Sequence, residues 1–247
     1  MPDSNHLRAQ LKYNIPEGGY VLRLVYFPSP GRAEAIRVAL SISGVEWEDI
    51  SIDGEQFSNM KESGDLPWGM VPILQTPQGT IAESSAILRF VGHLSRLVPD
   101  DPFQRAKADE FIDGMEPLSI ALNSTFGVRD LEERVRMRKE IFGPEGKGSS
   151  NLRLLERKVS ESLTGWAAGT DEMSIADLKL FTGLFGLFSG NYDGIDASIL
   201  ADFPGLIEYH GKVSNEPRIK EHYSDAKSDE IRWIFLPDAF EEVFTSD

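Results

Sequence analysis

The sequence contains no cysteine in its 247 residues, and this absence removes several kinds of chemistry at once. Disulfide bonds, thiolate metal sites and a cysteine nucleophile are all excluded. Histidine is scarce too: His6, His93, His210 and His222 are the four in the chain, and none has a second ligand at the spacing of a metal site. We therefore expect neither a bound metal nor a mechanism based on a protein thiol.

Long apolar runs and net positive charge are also lacking. No window approaches the roughly 18 uninterrupted apolar residues that cross a bilayer, so we expect no membrane segment. Residues 1–19 have no apolar signal-peptide core, and they predict a loose tail on a cytoplasmic protein. The formal net charge of −15 is spread along the chain and argues against nucleic acid or anionic membranes as partners.

The first hundred residues contain the patterns typical of strands. The apolar run YVLRLVYF predicts a buried strand, and Ser29 with Pro30 offers an N-cap and a first-turn proline for a helix that stops at Gly44. EWEDISI predicts a second strand, and GEQFSNMKESGDLPWG predicts a long irregular connection. A hairpin over MVPILQT and GTIAE and a helix from Glu83 complete a β-α-β-β-β-α order.

The remainder of the chain has only helical patterns. VPDDPF interrupts the periodicity, and we place a linker at residues 99–102 between one domain over 20–98 and a helical domain over 103–225. The predicted helices cover about residues 103–126, LEERVRMRKEIFG, 151–163, 175–188 and 203–214, with a flexible connection at PEGKGSS. MSIADLKLF places Ser174 three residues before Asp177, which predicts a capping box with a structural role.

A C-terminal extension over residues 226–247 is unusually apolar for an end segment. It contains Ile231, Trp233, Phe235, Leu236 and Phe240, a group too apolar to remain exposed. The sequence leaves two alternatives open, because the extension can fold over the functional site or dock on the helical domain.

Four ordered motifs resemble those of the glutathione transferase family, and the likeness to its sigma-like class is the strongest. They are YF…GRAEAIR (26–37), LPWGMVPIL (66–74), ESSAILRFV (83–91) and SIAD (174–177), and the resemblance covers about residues 20–223. It implies an α+β fold, with an N-terminal thioredoxin-like domain followed by an all-helical domain. It also implies glutathione as co-substrate.

The resemblance implies catalytic roles for Tyr26 and Arg32. A free thiol has a pKa of about 8.5, so little of it is thiolate at neutral pH, and an enzyme that uses glutathione must stabilise the anion. Tyr26 ends the first predicted strand, where open sheets bind their ligands. Its phenol is expected to donate to the glutathione sulfur, and Arg32 is similar to the arginine that sigma-like enzymes keep near that sulfur.

Part of the glutathione site is implied by the same motifs. Pro72 is expected to be cis, so that the backbone of Val71, beside Met70, meets the tripeptide like an added strand. Glu83 and Ser84 open a helix whose free N–H groups suit the γ-glutamyl carboxylate. Glu83 replaces the family's glutamine, and it is expected to face the ligand ammonium.

Three further residues follow from the resemblance. Phe57 replaces the tryptophan usual in sigma-like enzymes, and Lys61 is similar to their lysine for the glycyl carboxylate. Asp109, in ADEFID, resembles the aspartate that reaches the ligand ammonium across a dimer interface, which implies a homodimer.

The electrophile is the least determined part of the site. The residues placed in its pocket by position alone are Phe27, Pro30, Ile112 and Glu116. The expected reaction is attack of the thiolate on small hydrophobic electrophiles. Two alternatives stay open: an isomerase or peroxidase similar to prostaglandin D synthase, and a non-enzymatic glutathione-binding protein similar to the S-crystallins.

Overall fold

Four strands form one mixed sheet in the computed structural model, which describes residues 21–240. They are β1 (Leu22–Tyr26), β2 (Trp47–Ser51), β3 (Ile73–Thr76) and β4 (Gly79–Ala82), in the spatial order β2-β1-β3-β4. β1 pairs parallel to β2 and antiparallel to β3, which pairs antiparallel to β4. The chain divides into two units at Leu97 and Val98, and the sheet belongs to the first.

Three helices accompany the sheet in the first unit: α1 (Glu34–Ser43), α2 (Gly54–Ser63) and α3 (Ser84–Leu94). α1 and α3 pack against each other and bury apolar stripes at helical spacing, which include Ile36, Leu40, Ile87 and Val91. A second apolar cluster contains Val25, Ile52, Leu66, Val71 and Ile73. Successive side chains of a strand point to opposite faces of the sheet, so apolar side chains of the sheet pack on both faces.

Two expectations about this unit are wrong. The connection predicted as irregular contains α2, which begins with a capping box in which Gln56 N donates to Asp53 Oδ1 at 2.8 Å. No α2 side chain is fully buried, so the segment has no apolar period to detect. α1 also begins later than predicted, at Glu34 after a 3₁₀ turn at Gly31–Ala33, and without a side-chain cap.

The described part of the second unit contains helices joined by loops and turns and no strand, and the predicted fold class is confirmed. Its α-helices are α4 (Pro102–Gly114), α5 (Glu116–Phe126), α6 (Leu131–Ile141), α7 (Lys147–Ser160), α8 (Ile175–Leu180), α9 (Pro204–Ser214) and α10 (Pro217–His222). A π-helical turn (Phe181–Phe185) and a 3₁₀ turn (Gly186–Phe188) follow α8, and other 3₁₀ turns lie at Ala197–Asp202 and Ile231–Phe235.

Two helix boundaries in this unit also differ from expectation. The continuous helix predicted over residues 103–126 is two helices separated at Met115, and Pro117 lies in the first turn of the second one. Proline has no N–H, so it is tolerated in a first turn but not inside a longer helix. The predicted flexible connection PEGKGSS is shorter than expected, because α7 already begins at Lys147.

Asp177 forms the predicted capping box with Ser174 and is fully buried. Its carboxylate accepts hydrogen bonds from Ser174 N at 2.8 Å, Ala167 N at 2.7 Å and Tyr209 Oη at 2.8 Å. Burial raises the pKa of Asp177, although these donors act in the opposite direction. The carboxylate therefore connects the start of α8 to α9, and also to the loop that precedes α8.

The part of the C-terminal extension that the structure describes, up to residue 240, docks within the helical unit, which is one of the two arrangements that the sequence leaves open. Ile234 and Phe235 are buried, and Trp233 Nε1 donates to Ser189 O at 3.0 Å. His210 Nε2 lies 2.7 Å from Ile234 O, and since a carbonyl only accepts, this nitrogen carries the proton. Rings of Phe181, Phe185 and Phe240 surround the imidazole.

His210 makes the stability of the protein sensitive to mild acid. Burial lowers the pKa of His210 from 6.5 to about 4. Below the unfolded value the unfolded chain takes up a proton that the folded chain does not, so stability present above 6.5 is lost as the pH falls toward 4. We expect this group to remove about 2 kcal/mol between neutral pH and about pH 5.

The variant His210→Gln measures that contribution. Glutamine stays neutral and keeps a donor for Ile234 O, so the pH-dependent loss in free energy of unfolding should shrink by about 2 kcal/mol. The measurement is urea unfolding of both proteins at the two pH values. An equal loss in both would show that His210 does not cause it.

Candidate functional site

Tyr26 ends β1, and its side chain is held by the chain that follows it. The backbone N–H of Arg32 donates to the Tyr26 hydroxyl oxygen over 3.2 Å. This donor occupies one lone pair of the oxygen, so the hydroxyl proton points away from the backbone and becomes a stronger donor to a third group. The carboxyl end of β1 thus carries a phenol that is already oriented.

Gly31 makes this approach possible. Its φ is +45°, a left-handed conformation that favours glycine. A Cβ at this position would lie 2.7 Å from the Tyr26 hydroxyl oxygen, well inside van der Waals contact. The glycine of the GRAEAIR motif therefore has a steric role next to the phenol.

Two further aromatic side chains, Phe27 and Phe57, continue from the phenol. The Phe27 ring centroid lies 5.4 Å from that of Tyr26 and 5.6 Å from that of Phe57. All three rings pack against the cluster that contains Val71, together with Ala82 at the end of β4. The structure thus brings together residues from four separate segments, and Phe57 is placed there by α2, the helix that was not expected.

The loop before β3 has the predicted backbone. The Val71–Pro72 bond is cis, as the family resemblance implied. Val71 is buried, while Met70 is 58% exposed and offers its side chain to solvent. Lys61 is exposed in the last turn of α2. Its Cε lies 3.6 Å from the point that a Cβ would occupy at Gly69, so the lysine side chain extends beside this loop.

Glu83 and Ser84 lie at the start of α3, and Ser84 is not its N-cap residue. Glu83 is the N-cap residue and Ser84 the first helical one, and Ser84 is 7% exposed. Glu83 has φ +69° and ψ +113°, which is a strained conformation for a residue with a side chain. Strain of this kind clusters at ligand sites, because a surrounding structure must impose it.

Arg37 is the residue of this region to which sequence reasoning assigned no role. It is 9% exposed, and its guanidinium bonds to backbone carbonyls of the loop after Tyr26 and to Glu34 and Asp49. Burial alone would lower the pKa of Arg37, but the hydrogen bond to Asp49 and the charge of Glu34 outweigh it and raise that pKa. The available signal was a charged residue on the apolar stripe of α1, between Ala33 and Leu40.

The remaining predicted site residues differ in burial and in their contacts. Pro30 is buried. In the second unit, Asp109 is half-buried on α4, and Glu116 Oε1 pairs with Lys179 Nζ at 3.1 Å. Ile112 is fully buried. The pocket assignments of Phe27, Pro30, Ile112 and Glu116 stay predictions.

The described residues contain no group of three His, Asp or Glu side chains arranged to hold a metal ion. Within residues 21–240, no helix has both the length and the apolar character needed to cross a bilayer. Besides Tyr26, the first unit contains a backbone segment before a cis-proline, a helix N-terminus and a lysine, groups that suit an organic anion with a peptide backbone.

Two family models match this chain, one in each unit. Residues 21–93 match the model described as "Glutathione S-transferase, N-terminal domain", and residues 129–226 match "Glutathione S-transferase, C-terminal domain". The first match contains the whole cluster around Tyr26. The second contains the Asp177 capping box and ends before the docked C-terminal segment.

Individual relatives agree with these matches. The chain is 29% identical over 206 residues to glutathione S-transferase 3 of Caenorhabditis elegans, covering 81% of this chain and 93% of the relative. It is 25% identical to glutathione S-transferase alpha-4 of Rattus norvegicus, covering 81% and 86%. A prostaglandin synthase D structure from Nilaparvata lugens superposes with a TM-score of 0.72 over 84% of this chain and 98% of that one, at 22% identity, which shows the shared fold.

Proposed function

Because the chain belongs to the glutathione S-transferase family, we propose that it ionises the thiol of glutathione at Tyr26 and directs the thiolate to small hydrophobic electrophiles. The observation that carries this proposal is the Tyr26 hydroxyl, oriented by the Arg32 amide 3.2 Å away at the carboxyl end of β1. A phenol fixed in this way donates a hydrogen bond to the sulfur, and it lowers the pKa of the bound thiol.

The proposed site binds glutathione as an extended peptide. The backbone of Val71, before the cis-proline, pairs with the cysteinyl unit, as in strand addition. The γ-glutamyl carboxylate lies at the N-terminus of α3, where Ser84 and free amides receive it and Glu83 faces the ammonium. Lys61 takes the glycyl carboxylate. Phe57 contributes its ring to the floor of the site, without the hydrogen bond of an indole.

Asp109 extends the proposal to a homodimer. In this proposal Asp109, on α4, reaches the ammonium of glutathione bound to a second copy of the chain, as the sigma-like resemblance implies. The test is the mass of the protein in solution, together with the affinity for glutathione of Asp109→Asn. A monomer that binds glutathione with unchanged affinity after this substitution would remove Asp109 from the site.

The proposed reaction is substitution or conjugate addition. In substitution on an aryl chloride, the bound thiol gives its proton to solvent, the sulfur forms a bond to carbon, and chloride leaves with the electron pair. Arg32, in the turn after Tyr26, adds positive charge near the developing thiolate. The reaction consumes no oxidant and involves no protein thiol.

Turnover separates the enzyme from its non-enzymatic alternative. If the protein is a transferase, it should conjugate chlorodinitrobenzene with glutathione well above the uncatalysed rate. Retention on immobilised glutathione with no turnover across a panel of electrophiles would instead support a binding or structural protein. Isomerase activity is tested separately, with a prostaglandin endoperoxide as substrate.

Ser84→Ala tests the carboxylate subsite. Loss of a hydrogen bond to a charged group weakens binding about tenfold, so at a glutathione concentration of about 100 times Kd the ligand-induced rise in melting temperature should fall by about half. The measurement is thermal unfolding with and without glutathione. Ser124→Ala is the matched control, since that exposed hydroxyl bonds only locally, to Ala121 O. An unchanged rise in Ser84→Ala would contradict the subsite.

A further inference from the structure

The loop between Tyr26 and Gly31 is held through its backbone by one buried side chain. Arg37 Nη1 donates to Ser29 O at 2.7 Å and to Pro30 O at 3.2 Å, and Nη2 donates to Phe27 O at 3.3 Å. Two of the loop residues are prolines and have no N–H, so the loop has few donors of its own. Within the loop, Ser29 N donates to Phe27 O at 2.7 Å, and the guanidinium supplies the donors for Ser29 O and Pro30 O and a second donor for Phe27 O.

The direction of the Arg37 fork is itself determined by two carboxylates. Arg37 Nε donates to Asp49 Oδ2 at 2.7 Å, and Nη1 to Glu34 Oε2 at 3.1 Å. Asp49 belongs to β2, and Glu34, which is 2% exposed, belongs to the first turn of α1. The guanidinium therefore connects the loop to a strand and to a helix, and its buried charge is balanced by two opposite ones.

The position of the loop decides where the Tyr26 hydroxyl lies. The loop begins at Tyr26 and returns at Gly31 and Arg32, and the Arg32 amide donates to the phenol oxygen at 3.2 Å. The Arg37 guanidinium carbon also lies 5.9 Å from the Tyr26 ring centroid, within the range of a cation–π contact. A change at Arg37 would thus move both the amide that orients the phenol and the positive charge near its ring.

We propose that Arg37 is a positioning residue for the thiol chemistry, which it serves by holding the loop over residues 27–30 so that the Arg32 amide orients the Tyr26 hydroxyl. The inference rests on the proposed function of Tyr26. Lysine cannot replace the arginine, because an ammonium is a point charge without the planar fork that reaches three carbonyls and two carboxylates.

The test is a double-mutant cycle with Arg37→Lys and Tyr26→Phe, measured as kcat/KM for conjugation of chlorodinitrobenzene as a function of pH. A misplacement of about 1 Å in a catalytic group costs up to about a hundredfold, so Arg37→Lys should lower kcat/KM by about ten- to a hundredfold in the wild-type background. It should also move the pH profile of kcat/KM to higher pH. In the Tyr26→Phe background the same substitution should have an effect of less than about threefold, because the hydroxyl it positions is absent.

Arg23→Met is the matched control. Arg23 of β1 pairs with Glu48 of β2 at 2.8 Å, so it also makes an ion pair to β2, but both side chains are about half exposed. We expect this variant to keep the wild-type kcat/KM and pH profile. All activities are compared at a temperature where circular dichroism shows each variant folded. If Arg37→Lys does not fold, Asp49→Asn takes its place, since it weakens the orientation of the guanidinium and leaves the fork intact.

Two results would overturn the inference. One is equal loss of kcat/KM on substitution of Arg37 in both backgrounds, which is the signature of a general structural role. The other is a folded Arg37→Lys enzyme with wild-type kcat/KM. Failure of the proposed function gives a different result, because Tyr26→Phe alone would then leave conjugation unimpaired.

Discussion

Replacing Tyr26 by phenylalanine is expected to lower kcat/KM for conjugation by about ten- to a hundredfold. A hydrogen bond to a charged group contributes about 1.5–3 kcal/mol, and here it acts on the thiolate that forms at the sulfur. The ring stays in its contacts with Phe27 and with the apolar cluster of the sheet, so the fold should be unaffected. The loss therefore reports on the hydroxyl alone.

The pH dependence provides the sharper part of this prediction. Without the donor, the bound thiol ionises closer to its free pKa of about 8.5, so the kcat/KM profile should move to higher pH. The difference in kcat/KM between wild type and Tyr26→Phe should be largest near neutral pH, and it should become smaller above the free thiol pKa of about 8.5. The measurement is kcat/KM at saturating glutathione across this range.

Tyr209→Phe is the matched control for loss of a tyrosine hydroxyl. The Tyr209 hydroxyl donates to Asp177, so its removal should reduce stability and leave the pH profile of conjugation unchanged. Tyr26→Phe with wild-type kcat/KM throughout would show that the phenol does not serve the thiol.

The sheet and the helices with apolar stripes were predictable from sequence, because their patterns are local. β1 lies within the apolar run YVLRLVYF, and α1 ends just before Gly44, whose φ of +67° suits glycine. α2 has no such pattern: none of its side chains is fully buried, and it depends on the capping interaction of Asp53 and Gln56. The break at Met115 was missed because the apolar spacing continues through it, while Pro117 lies in the first turn of a new helix that starts at Glu116.

The candidate site was predictable to the extent that its residues belong to motifs. Tyr26, Pro72 and Ser84 were identified by the family resemblance, and the cis bond and the start of α3 agree with it. The role of Arg37 could not be deduced in this way, because its partners are backbone carbonyls and an aspartate on β2. Only the folded chain brings these groups together.

Asp177→Ala is expected to cause the largest loss of stability in the second unit, on the order of 3–5 kcal/mol, as does breaking other buried networks that depend on one charge. The substitution leaves the buried donors Ala167 N, Ser174 N and Tyr209 Oη without their acceptor. Each unsatisfied buried donor costs about 1–3 kcal/mol, which exceeds the gain from no longer burying a carboxylate whose pKa is raised. The melting temperature should fall by about 10 °C.

The comparison that isolates burial is Asp130→Ala. Asp130 also caps a helix, but its carboxylate is exposed and accepts from Glu133 N at 2.8 Å, so the expected loss is about 1 kcal/mol. The double variant Asp177→Ala with Tyr209→Phe should be more stable than the sum of the single losses predicts, since the second substitution removes one of the donors left unsatisfied. The measurement is urea unfolding followed by circular dichroism. If Asp177→Ala lost no more stability than Asp130→Ala, the buried carboxylate would be no more than an ordinary helix cap, and the connection it makes between α8 and α9 would not stabilise the unit.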